Sequence, residues 1–316
     1  MSFKNRFTWL VFILVLTMLA CNVSIQDNPT PTAISSADAT RIMLNIQNTA
    51  IAAVIPATQQ PVASAIPTAI PTQIVSTEIP PTAQPTAIDV TALIQNAKIL
   101  VYEDAASNYQ LDPWVQLSLN QLGLKYVHVG DAIGDFMSNL NSSTHWDLII
   151  VAAESRKGVQ GEFWDVITPK VTTEKTALIL ETWYLSQVGN GRIKALTDKC
   201  GIEFQSTRRF VDAVYILDGN APVFSNPNSG FSLNNYIGYW KDKGGDYVRL
   251  TGSGDAVLLA GGHASEKSSS GLLTSCIEGR AIIQTFSTHD YKREQMQMLW
   301  ENYITNTLTN HFNALP

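Results

Sequence analysis

From residue 97 onward the chain repeats one pattern: a short unbroken run of apolar, largely β-branched residues, then an acidic or small polar residue, then a helical stretch. Lys98 to Tyr102 runs into Glu103 and Asp104; Asp147 to Ala153 ends at Glu154; Thr176 to Glu181 runs into Thr182, Trp183 and Tyr184. Runs with no polar alternation are strands buried on both faces, which is the condition of parallel strands covered by helices. Shorter runs at Tyr126 to Val129, Ala213 to Leu217, Ala256 to Ala260 and Arg280 to Phe286 read as further strands. Helical spacing covers Pro113 to Leu122, Asp131 to Leu140, Gly161 to Ile167, Val188 to Lys199 and Lys292 to about Asn310, with Gly201 placed as a left-handed cap. The alternation predicts an α/β fold: a doubly wound, mostly parallel sheet with helices on both faces, in one domain over 96–316.

The N-terminal part obeys other rules. Nine of the 14 prolines lie between Pro29 and Pro85, among Thr, Ala, Gln and Ser, and the only charges from Asn28 to Ile88 are Asp38, Arg41 and Glu78. Such a stretch cannot bury a core, so 22–95 is expected to be a disordered, semi-stiff tether, with a short helix around Ala37 to Val54 as the alternative for that piece. Ahead of it, Lys4 and Arg6 precede an uncharged run from Thr8 to Ala20 and then Cys21. A basic head, a short apolar run and a small residue form an export signal over 1–21. A run this short falls below the ~20 residues of a spanning helix, which makes a retained span the weaker reading.

Ligands of doubly wound sheets collect outside the carboxyl ends of the strands. The residues placed there are Glu103, Asp104, Glu154, Glu181, Thr182, Trp183 and Tyr184, then His263 after Gly261-Gly262, and Ser287, Thr288, His289 and Asp290 after the last strand. Glu154, Glu181, His263 and His289 are the acid–base candidates, because carboxylate and imidazole in one crevice can exchange protons. Asp290 is better read as the N-cap of the final helix. His128, within a strand, and His145, in a loop, read as structural or solvated. Asn226 to Tyr247, rich in Gly, Asn and aromatics, reads as an irregular insertion overhanging the crevice; Tyr236, Tyr239, Trp240 and Tyr247 join Trp183 and Tyr184 as contact candidates, with packing as the competing role.

Several chemistries recede. There is no glycine-rich dinucleotide fingerprint, P-loop, His-Glu-x-x-His, Cys-x-x-Cys or Gly-x-Ser-x-Gly, so no cofactor and no metal is expected. A net charge of −6 with scattered Lys and Arg argues against a nucleic-acid surface. Cys200 and Cys276 are either a disulfide, if the domain is exported, or two buried thiols; separation in sequence does not choose.

Met18-Leu19-Ala20-Cys21 resembles the lipobox of bacterial lipoproteins, with Met18 where leucine is usual. The resemblance implies a lipidated Cys21 and a domain held at the extracytoplasmic face of the bacterial cell membrane; an ordinary residue near a cleavage site is the alternative. Over roughly Lys98 to Phe312 the domain resembles the class I glutamine amidotransferase-like superfamily, which is flavodoxin-like in fold, and within it the trehalose-utilisation-like branch. The carrying segments are Lys98 to Tyr102, Trp146 to Val151, Asn220 to Phe224, Asp255 to Gly262 and Gly279 to Asp290. The resemblance implies a cysteine nucleophile at the exit of the Thr176 to Glu181 strand. Here that exit carries Thr182 and no cysteine.

The expected function is therefore a membrane-anchored binding or interaction module with a carbohydrate or protein partner, glutamine hydrolysis being unlikely. The alternative is a carbohydrate-processing hydrolase or isomerase working through Glu and His groups at the strand ends, which requires at least two of them within about 10 Å.

Overall fold

A computed structural model describes residues 89–105, 110–154, 161–208, 214–230, 232–234, 237–240 and 244–316. The export signal, Cys21, nearly all of the expected tether and Tyr236 lie outside the described residues. In chain order the elements are α1 Val90–Gln95, β1 Ile99–Glu103, α2 Trp114–Gln121, β2 Val127–His128, α3 Ile133–Leu140, β3 Leu148–Ala152, α4 Phe163–Thr172 and β4 Ala177–Glu181. There follow α5 Leu185–Val188, α6 Lys194–Cys200, β5 Ile202–Arg208, β6 Tyr215–Ile216, β7 Gly245–Leu250, β8 Val257–Gly261, β9 Gly271–Cys276, β10 Ala281–Gln284 and α7 Arg293–Ala314. Short 3-10 turns stand at Pro222–Phe224 and Thr288–Asp290.

One sheet carries the order β2-β1-β3-β4-β10-β9-β7-β5, with β8 pairing β6 and β9 off that path. The segment β2-β1-β3-β4-β10 is parallel throughout. That is the doubly wound, flavodoxin-like order, with β10 as the fifth parallel strand. Beyond β10 every pairing is antiparallel. The parallel strands β1, β3, β4 and β10 are buried on both faces, as their unbroken apolar runs require, whereas β2 at the edge of the sheet is not. Ile99 and Val101 pack with α2 and α7 on one side; Leu100 and Tyr102 pack with α3, α4, α5 and α6 on the other. Each fully buried large side chain in these layers contributes roughly 1.5–3 kcal/mol of hydrophobic stabilisation.

Several boundaries differ from the sequence reading for identifiable reasons. The helix expected over Val188 to Lys199 is two helices, because Gly189, Asn190 and Gly191 interrupt it, and glycine costs about 1 kcal/mol in a helix interior. Gly201 adopts φ 84° and caps α6 as expected. Helix α1 lies inside the stretch read as tether, yet Val90 and Ile94 pack on the core, and Asp89 caps it through Thr91 and Ala92. Strands β5, β7 and β9 were not legible. β5 is an edge strand exposed along Glu203 to Thr207, so it carries no apolar run, and β7 begins within the segment read as an irregular insertion.

Cys200 and Cys276 are bonded, with Cα atoms 5.2 Å apart across a sequence separation of 76 residues. This settles the open choice between bridge and free thiols. It ties the end of α6 to the end of β9, away from the β4 exit.

Candidate functional site

The carboxyl ends of β1, β3, β4 and β10 converge, and their polar residues form one buried centre. In this sheet order the chain departs in opposite directions from β1 and β3, the position where such folds open a crevice. Glu103 ends β1 and Glu154 follows β3 two residues on.

Glu154, 1% exposed, is the hub. Its Oε1 accepts from Trp240 Nε1 at 2.9 Å, from the His289 backbone N–H at 3.2 Å and from the Ser287 hydroxyl; its Oε2 meets His289 Nδ1. The other ring nitrogen of His289, Nε2, faces the Asp112 carbonyl oxygen at 2.9 Å. With Glu154 held on its ionised side, both of these oxygens can only accept, and two acceptors on two ring nitrogens call for imidazolium, which makes this a buried ion pair. Burial alone would push the Glu154 carboxyl up and the His289 ring down. Each partner's charge and hydrogen bond reverses that, holding Glu154 below the usual range and His289 above it.

Glu181 has the opposite environment. It is 2% exposed, and its Oε1 accepts from Thr288 N at 2.7 Å, Gln284 Nε2 at 3.1 Å and the Thr288 hydroxyl. Burial and the nearby charge of Glu154 hold its carboxyl well above the usual carboxylate value and so favour its neutral form. Gln284 in turn accepts from Tyr303 OH at 2.8 Å, running the network into α7. Glu103 accepts from Val115 N and Gln116 Nε2, each at 3.0 Å, so it caps α2 across the crevice. Burial pushes its carboxyl up to about 7 against those donors. Asp290 is raised to about 6, again by burial, with the Trp240 N–H opposing and the Glu154 charge assisting.

Among the acid–base candidates, the structure thus brings together Glu154, Glu181 and His289, but not His263. That residue is exposed and stacks on Tyr247 with ring centroids 6.5 Å apart. Although β8 runs in the same direction as β10, it is displaced from the parallel core by β9. Asp290 does not cap the final helix either. Lys292 occupies that position without a side-chain bond, and Asp290 Oδ1 instead accepts from Trp240 N at 3.0 Å. Asp104 and Thr182 are buried beside the centre. Trp183 and Tyr184 are buried too and pack on each other at 4.2 Å, with Trp183 Nε1 donating to the Glu154 carbonyl at 2.6 Å. Tyr239 is 44% exposed, and Trp240 is half-buried over the centre, so the expectation that this segment overhangs the crevice holds for residues 237–240.

Three participants were not anticipated. Trp114 packs near His289 at 5.8 Å, His128 lies 3.8 Å from Glu103, and Gln284 links Glu181 to α7. Only Gln284 left a signal, as a polar residue between the apolar run Ala281-Ile282-Ile283 and Phe286. Among the described residues, no three His, Cys, Asp or Glu side chains are grouped to hold a metal ion.

No protein-family model matches the chain, and no curated protein matches it in sequence. Among solved structures, similarity is found to a Thermoplasma acidophilum protein described as part of GMP synthase, with 12% identity and a TM-score of 0.43, covering 69% of this chain and 96% of that one. Similarity is also found to PurLQS from Thermotoga maritima, with 10% identity and a TM-score of 0.39, covering 68% of this chain and 98% of the other. The α/β architecture of the chain stands on its own strand order.

Proposed function

We propose that this protein is a membrane-anchored, extracytoplasmic binding or interaction module built on an amidotransferase-like domain that has no thiol nucleophile. The observation that carries the reading is at the β4 exit. Thr182 is buried there between Glu181 and Trp183, and the two cysteines of the described domain are bonded to each other elsewhere. A nucleophile elbow also needs a sharply strained turn. Left-handed φ among described non-glycine residues occurs at Gln110, Lys175, Ser270, Ile277 and Glu278, none of them at that exit. The His289 ring, held as imidazolium, has no free lone pair with which to take a proton. The anchor is Cys21, and the ligand is a carbohydrate or a protein segment taken at the strand-end centre.

The test is a thermal-shift screen of the purified protein against sugars, peptides and nucleotides, run beside glutamine and glycoside hydrolysis assays. A ligand at a hundred times its dissociation constant stabilises by about 2.7 kcal/mol, which is roughly 5 to 11 °C for a domain of this size. Binding without turnover supports the module; turnover lost in Glu154→Gln sinks it. For the anchor, Cys21→Ser is expected to release the protein from the membrane fraction, and continued retention would refute lipidation.

A second reading, a hydrolase or isomerase without a thiol, is favoured by one observation. Glu154 and Glu181 are neighbours whose surroundings drive their pKa values apart, the arrangement that assigns a base and an acid. Under that reading Glu181→Gln abolishes turnover while leaving the fold intact.

A further inference from the structure

Segment 237–240 is held down on the strand-end centre by four hydrogen bonds. Ile237 N and Gly238 N donate to the Asp290 carbonyl at 2.7 and 3.4 Å, Trp240 N donates to Asp290 Oδ1 at 3.0 Å, and Trp240 Nε1 donates to Glu154 Oε1 at 2.9 Å. The indole lies 5.5 Å from the Trp183 ring and is met edge-on by Tyr239 at 4.9 Å. On the outer side of the segment, Ile237 is 60% exposed.

Glu154 Oε1 accepts three donors, and of these the Trp240 indole alone is carried by segment 237–240, the Ser287 hydroxyl and the His289 N–H being fixed at the β10 exit, so losing the indole costs this buried carboxylate one hydrogen bond. The place filled by the indole is accordingly specified: flat, walled by aromatic rings, with a carboxylate oxygen at one edge. His289 already neutralises Glu154, so the place calls for a neutral donor rather than a cation. We propose that Trp240 stands in for a ligand, and that the site formed by Glu154 and Trp183 takes a planar aromatic heterocycle bearing an N–H, which displaces Trp240 and donates to Glu154 Oε1. This rests on the strand-end centre being a binding site and, of the two ligand classes proposed for it, favours a protein segment presenting an aromatic N–H side chain over a carbohydrate.

The experiment uses the whole protein as wild type and as Trp240→Ala, with indole and 1-methylindole as probes. Indole at a hundred times its dissociation constant is expected to raise the melting temperature of Trp240→Ala by about 5 to 11 °C. The methylated ring, which has the same faces but no donor, should leave it unchanged, and wild type should respond to neither. Equal shifts from both probes, or none from either, overturn the proposal. Should Trp240→Ala not fold, Trp240→Phe keeps an aromatic ring, though a smaller one, and removes the donor. Amide exchange at Ile237 and Gly238 should then accelerate about ten-fold, and unchanged exchange overturns the proposal equally. A compound from the wider screen that binds wild type and Trp240→Ala with equal affinity refutes the stand-in while leaving the binding reading in place. A flat wider screen with indole still stabilising Trp240→Ala supports the stand-in and counts against the broader reading.

Discussion

Two histidine–carboxylate pairs stand at opposite ends of β3 and are wired alike. At the upper end His289 bridges Glu154 and the Asp112 carbonyl. At the lower end His311 bridges Asp147, at 3.1 Å, and the Lys175 carbonyl, at 2.8 Å. Their surroundings differ. Asp147 is partly exposed and otherwise accepts only the Lys98 backbone N–H, at 2.7 Å, so the lower pair fastens the start of β1 and the end of α7 to the sheet. The upper pair is buried, is joined by Glu103, Glu181 and Asp290, and lies under an aromatic segment. An imidazole and a carboxyl group therefore make a clamp at one end and a candidate site at the other; burial and neighbouring carboxyl groups make the difference.

The sharpest way to break that contrast is to remove each carboxylate. Glu154→Ala leaves a buried imidazolium unpaired and should cost about 3–5 kcal/mol in denaturant unfolding. Asp147→Ala, in a solvent-screened pair, should cost only about 1 kcal/mol. Equal losses would erase the distinction. Next in size, Cys200→Ala with Cys276→Ala should cost roughly 2–4 kcal/mol, because the bond closes a span of 76 residues. Intact-mass labelling without reductant should find neither thiol reactive in the wild type.

The two ends should also answer pH in opposite senses. Glu103, raised from 4.5 to about 7, keeps a proton that the unfolded chain has released, so its contribution falls as pH rises across that window. Asp290, raised from 3.8 to about 6, acts the same way over its own window. Asp147 is lowered, chiefly because His311 and Lys98 bond its ionised form against the cost of burial. Its contribution is present above 3.8 and is lost as pH falls through its lower folded value. Stability measured against pH in Glu103→Gln should lose the part of the slope nearest pH 7, Asp290 supplying the rest, and in Asp147→Asn the acid-side slope. The smallest effect is expected for Glu181→Gln: burial and the Glu154 charge favour the neutral form of this carboxyl, which an uncharged amide of the same shape replaces, so stability near pH 7 should change by under about 1 kcal/mol. A loss as large as that of Glu154→Ala would show that Glu181 is charged after all.

What the sequence determined by itself is local. Unbroken apolar runs specified β1, β3, β4 and β10 as buried strands, and the residue following each run specified what would stand at its end, because strand periodicity and strand direction are properties of neighbouring residues. Hence Glu103, Glu154, Glu181 and His289 could be placed at one edge of the sheet before any coordinates. The tertiary structure decided the partnerships. Glu154 meets His289 and Trp240 from 135 and 86 residues away, Cys200 meets Cys276, and Asp290 turns from the final helix to the backbone of Trp240. It also set His263 apart, through the antiparallel strand β9 that separates β8 from β10. These pairings depend on the order of strands in the sheet and on burial, and burial determines whether a carboxyl group is ionised; neither is written in the spacing of residues along the chain.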